Sequence, residues 1–170
     1  MNWNFLYKSI FTTITIVIFV SIPHHIVEAD QRISQNSTQK NTILNQSKSF
    51  NNHIVSIQIQ KKKFNKKKHK ITKNGYSILI DGKRPIGTPG TPIWEIYKFT
   101  IKWDKQLIEL PKKFYSDCYE PNLKGVTILP SMGGKSILIY LNGSDGFYAY
   151  DVYWIIKKEQ IYDRYVWTQK

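Results

Sequence analysis

Residues 97–110 read YKFTIKWDKQLIEL, and this stretch decides the fold class. Tyr97, Phe99, Ile101 and Trp103 alternate with Lys98, Thr100 and Lys102. Successive side chains of a strand point to opposite faces, so the alternation predicts a strand with one apolar face and one polar face. Asp104-Lys105 supplies a tight turn, and Gln106 to Leu110 returns as the second strand of a hairpin.

Upstream, IVSIQIQ at 54–60 alternates in the same way, with Val55, Ile57 and Ile59 on one side. Asn74-Gly75 signals a turn, and Tyr76 to Ile80 is a β-rich run closed by Asp81-Gly82. PIGTPGTP at 85–92 carries three prolines and two glycines, which bar both helix and interior strand, so it reads as an ordered surface loop or flap. Pro111 then opens PKKFYSDCY, where Phe114 and Cys118, and Tyr115 and Tyr119, stand four apart. This predicts a helix of two turns over 111–119.

Beyond it, Val126 to Leu129, Lys135 to Leu141, Phe147 to Lys157 and Ile161 to Trp167 read as strands joined by turns at 131–134, at NGSDG (142–146) and at 158–160. The sum is a mainly β fold, a sandwich or partly open barrel of about eight strands, with one short helix near 111–119.

Composition bounds the function. In 170 residues, 25 Lys plus Arg face 12 Asp plus Glu, for a net charge of +13, and Cys118 is the one cysteine. This excludes a multi-domain enzyme, a multi-span membrane protein and a disulfide-stapled scaffold. At the amino end, Ile10 to Ile22 is an apolar run of 13 residues. It falls short of the roughly 20 that cross a bilayer and fits the core of an export signal. Val27-Glu28-Ala29 sets small residues at the positions a signal peptidase reads, which predicts cleavage after Ala29. The expectation is an exported chain, periplasmic or extracellular, with no membrane span once mature; an uncleaved anchor stays open. Residues 30–52, rich in Gln, Asn, Ser and Thr, read as a disordered polar linker before a single domain at 53–170.

More than half of the net charge sits in KKKFNKKKHK at 61–70, which holds seven lysines and no acid. Lys61, Lys62, Lys63, Lys66, Lys67, Lys68 and Lys70 are the candidate contacts to an anionic surface, either an envelope polymer or a lipid headgroup layer. Export argues against a specific nucleic-acid partner. The plainer reading is a solvated lysine-rich loop that reflects compositional drift, and it stays open beside the binding one.

FYAYDVYWII at 147–156 is aromatic on both faces. Either the strand is covered on both sides, or Tyr148, Tyr150 and Trp154 form an exposed stacking platform.

Signals for catalysis are weak. GGKS at 133–136 lacks the glycine and the following helix that a phosphate loop requires. Cys118 has no base at a readable spacing and suits packing, because His53 and His69 lie at a linker edge and in the lysine run. Cys118 alone, two mature histidines and one carboxylate in NGSDG point to no metal or other cofactor. The rival to a binding module is a small exported hydrolase built on a pair among Asp117, Asp145 and Asp151. A third reading is an envelope structural protein.

YSILIDGKRP (76–85), WDKQLIELPKKFYSDCYEPNL (103–123), and GSDG (143–146) followed by YDVYWIIKK (150–158) resemble a family of small exported bacterial proteins with no assigned function. The resemblance implies one domain framed by these segments and carries over no catalytic residue.

Overall fold

The computed structural model describes residues 30–36, 41–131, 135–157 and 160–169. The expected export signal and its expected cleavage site lie outside the described residues. Among those described, the chain forms eleven strands and four single 3-10 turns. The strands are β1 (Asp30–Asn36), β2 (Asn41–Phe50), β3 (His53–Lys63), β4 (Ile71–Asn74), β5 (Ser77–Ile80), β6 (Trp94–Trp103), β7 (Gln106–Glu109), β8 (Thr127–Pro130), β9 (Ser136–Gly143), β10 (Tyr150–Lys157) and β11 (Gln160–Thr168). They build an antiparallel sheet in the order β1-β2-β3-β6-β7, a second in the order β11-β10-β9-β8, and a small β4-β5 hairpin. Neither large sheet closes into a barrel.

One core joins the two large sheets. Leu44, Val55, Ile57, Ile59, Phe99, Ile101 and Trp103 from the first sheet cluster with Ile128, Ile137, Ile139, Leu141, Val152, Trp154 and Ile156 from the second. Each contributing strand alternates buried with partly exposed positions, as a sheet packed on one face requires. The Phe99 ring meets Trp154 edge-on at a centroid distance of 5.0 Å, and Lys48 of β2 donates to the Ile128 carbonyl of β8 at 3.0 Å.

Several expectations need correction. The described residues of 30–52 are not a linker, because β1 and β2 extend the first sheet and pair in register up to β3. The segment carries few apolar side chains, but Leu44 is fully buried and Phe50 packs edge-on against Trp103. The rest of the hold is the backbone ladder and the Ser47–Ser56 hydroxyl bond of 2.8 Å. Asn51 and Asn52, at φ 45° and 63°, make the two-residue turn between β2 and β3.

The helix at 111–119 is absent. Only Lys112–Phe114 makes a 3-10 turn; the chain goes on turning through 115–117 and then forms isolated bridges from Cys118 to Ile86 and from Tyr119 to Glu95. A two-turn helix has little intrinsic stability, and here local turn bonds together with those of Asp117 and Tyr119 to Ile86 satisfy the backbone instead.

In β6, Phe99, Ile101 and Trp103 point inward as expected, but Tyr97 is exposed. The register with β3 slips between Gln60 and Lys61, so that Gln60 faces Lys98 while Lys61 faces Ile96. Tyr97 is the extra residue of this bulge, and Ile96 takes the inward position in its place.

Candidate functional site

The lysine run is built rather than loose. Lys61, Lys62 and Lys63 complete β3 inside the ladder, and Lys66–Lys68 form a 3-10 turn capped by Asn65, whose side chain accepts from the Lys67 amide at 3.1 Å. The Phe64 amide donates to the Ile93 carbonyl at 2.8 Å. Its ring stacks on His69 at 4.6 Å and meets Tyr119 edge-on at 5.7 Å.

His69 clips the far end of the turn to the body of the protein. Its Nδ1 lies 2.7 Å from an Asp81 carboxylate oxygen, and its Nε2 lies 3.0 Å from Glu95. Asp81 also accepts from the Lys70 amide at 2.8 Å. The hydrogen bond from His69 is the main reason the Asp81 carboxyl lies below its ordinary range. His53 is held too, with Nδ1 2.8 Å from Asp104. Both histidines are thus fixed on the scaffold, contrary to their reading as unplaced.

The seven lysines separate into two groups. Lys61 is partly buried, donates to the Pro121 carbonyl at 3.3 Å and lies 5.2 Å from the Trp94 ring centre. Burial lowers its pKa, and the Glu120 charge opposes that shift. Lys62 sits 4.1 Å above the Tyr97 ring and 3.4 Å from Glu95. The bulge that turns Tyr97 outward provides that ring. Lys63, Lys66, Lys67, Lys68 and Lys70 are exposed and make no side-chain ion pair among the described residues.

The following segment adds exposed Lys73 on the β4-β5 hairpin and exposed Lys83 and Arg84 just after it. Sequence reasoning missed these three. Their signal was present, because residues 61–84 contain ten basic residues and one acid, Asp81. The hairpin is tied to the turn by the Asp81 amide donating to the Lys70 carbonyl at 2.8 Å.

Beside the turn lies an open cleft of about 560 Å³, lined by Lys61, Trp94, Glu120, Asn122, Asp145 and Tyr148 and walled by the proline-rich loop. Glu120 accepts from the Ile93 and Trp94 amides at 2.5 and 3.2 Å, which commits one of its oxygens to holding the start of β6.

The three carboxylates proposed for hydrolysis do not converge. Asp117 pairs with Arg164 at 2.9 Å, Asp151 accepts from the Tyr140 hydroxyl at 2.6 Å, and Asp145 alone of the three lines the cleft. Cys118 is fully buried, with an Arg164 nitrogen 3.0 Å from its sulfur. Burial outweighs the cation and pushes the thiol up to about 12. No group of three His, Cys, Asp or Glu that could hold a metal occurs among the described residues.

The expected platform of Tyr148, Tyr150 and Trp154 is not formed. Tyr150 and Trp154 are core residues, and the Trp154 indole donates to the Phe114 carbonyl at 2.8 Å. Tyr148 is exposed, but it belongs to a 3-10 turn that precedes β10. Among the described residues, no helix is long and apolar enough to cross a membrane. No family model, curated protein or solved structure matches the chain.

Proposed function

We propose that this protein is a β-rich binding module, acting outside the cytoplasm, that takes an anionic envelope polymer on its lysine turn. One observation carries the reading. Five exposed lysines stand on and beside a turn clipped at Phe64 and His69, while the Asp81 and Glu95 carboxylates next to it are engaged by His69 and Lys62. Loose lysines would lose conformational freedom on binding, and a pre-ordered turn reduces that cost. Each ammonium that reaches a polymer charge releases a counterion, which drives association without sequence or shape specificity. Lys73, Lys83 and Arg84 widen the cationic face toward the β4-β5 hairpin.

The test uses the full chain and a soluble polyanion such as alginate or polyphosphate, with anionic lipid vesicles as a separate arm. Replacing Lys63, Lys66, Lys67, Lys68 and Lys70 by Gln leaves the core untouched and should weaken polymer binding by at least about tenfold. Equal binding by the replaced protein would overturn the proposal. Binding to vesicles but not to either polymer would move the partner to the membrane surface.

A further inference from the structure

The outer face of the second sheet carries aromatic side chains in register. Because Tyr150, Val152 and Trp154 point into the core, Asp151 and Tyr153 point away from it. Tyr153 faces Tyr140 of β9 on one side and Tyr165 of β11 on the other, and Tyr140 in turn faces Thr127 of β8. Three tyrosines therefore stand in one row across three strands, at the strand spacing of about 4.8 Å. The Tyr140 and Tyr153 rings are 5.1 Å apart and tilted by 40°. The neighbouring row runs Asn142, Asp151, Trp167. Tyr165 and Trp167 are 56% and 59% exposed, so the row opens toward the β11 edge.

We propose that this face is a binding platform for a neutral polysaccharide, whose sugar rings stack along the Tyr140, Tyr153, Tyr165 row and on Trp167 of the row beside it. Aromatic side chains repeated from strand to strand, with Tyr165 and Trp167 the exposed ones at the edge, suit a linear ligand with repeated flat faces. The polar groups beside them, the Tyr153 hydroxyl and the Asp151 carboxylate oxygen that does not accept from Tyr140, match a ring with a hydroxyl rim better than a wholly apolar partner. Charge selects further. Asp151 and Asp163 lie in the rows on either side of the tyrosines, and Lys157 stands at the sheet's end with its ammonium 3.5 Å from the Tyr162 ring centre. A nucleic acid or an acidic glycan would bring its charges against these carboxylates. The platform is independent of the lysine turn and selects the opposite ligand charge.

Affinity electrophoresis of the full chain in gels containing hydroxyethyl cellulose, a mixed-linkage glucan or alginate tests this. Retardation by a neutral polymer is expected, insensitive to salt and retained when the turn lysines are changed to Gln. Tyr153→Ala and Tyr165→Ala should each reduce it at least fivefold, while Tyr153→Phe keeps most of it. Unchanged urea midpoints for Tyr165→Ala and Tyr153→Phe separate lost binding from lost folding. Lack of retardation by both neutral polymers would overturn the proposal, as would retardation indifferent to both alanine variants. A concentration-dependent dimer in sedimentation that Tyr165→Ala abolishes would also overturn it, by assigning the face to self-association.

Discussion

His69 Nε2 lies 3.0 Å from a carboxylate oxygen of Glu95, a residue only 7% exposed, while Nδ1 of the same ring reaches Asp81. This bidentate clip converts a run of like charges into a turn of defined shape. Repulsion among the lysines opposes order in the turn. The buried Glu95, the Phe64 ring and the Asn65 cap oppose that repulsion.

His69→Ala removes both contacts and leaves Glu95 with Lys62 as its remaining ion-pair partner. It should cost about 1–3 kcal/mol of stability, the range for hydrogen bonds to charged groups. Urea unfolding measures this, and increased amide exchange over 64–70 should accompany it.

The acid limb follows from Asp81. Its folded pKa lies below the ordinary 3.8, so the folded state binds that proton less readily than the unfolded state does. Its stabilising contribution is complete above 3.8 and is lost as pH falls through the depressed folded value. Asp81→Asn should therefore be less stable than wild type at neutral pH and converge with it as pH falls through the depressed folded value. Urea midpoints across that range provide the check.

Much of the fold was legible in the sequence, and the failures have physical causes. The β6-β7 hairpin at Asp104-Lys105 and the turn at Gly75 were readable because alternation and turn chemistry are local. The first two strands were not. Their burial is concentrated in Leu44 and a few neighbours, and backbone pairing to β3 leaves no compositional mark. Tyr97 misled because a bulge shifts the phase of alternation, and only the partner strand reveals it. On β10 the choice of face was open, since both were aromatic, and the exposed one proved to carry Tyr153 rather than Tyr150 and Trp154. The lysines were obvious. The clip that shapes them joins His69 to residues 12 and 26 positions away, beyond any spacing argument.

Tyr150 anchors the second sheet near the cleft. A Cβ at Gly143 would stand 2.3 Å from its ring and hydroxyl, so Gly143→Ala should destabilise by about 1–3 kcal/mol through overpacking. The Tyr150 hydroxyl itself finds no hydrogen-bond partner among the described residues. Tyr150→Phe, which deletes only that group, should be neutral or mildly stabilising by comparison. Denaturant midpoints of the two variants should move in clearly different amounts.

Cys118 should be inert in the folded protein. Its thiol is buried and stays protonated up to about pH 12, so a thiol reagent at pH 8 should label it only after opening. Labelling that tracks urea unfolding is the expected result. Arg164→Ala, which removes the cation from Asp117 and the sulfur, should lower stability by about 3 kcal/mol and speed labelling.

The most direct test of the lysine turn is the salt dependence of binding to a soluble polyanion. Plotted as log affinity against log salt, the intact protein should give a straight falling line, and each lysine replaced by Gln should reduce its slope by roughly 0.7. Replacing all five exposed lysines should lower the slope by about 3.5, leaving the share carried by Lys73, Lys83 and Arg84. A slope that those replacements do not change would contradict the account.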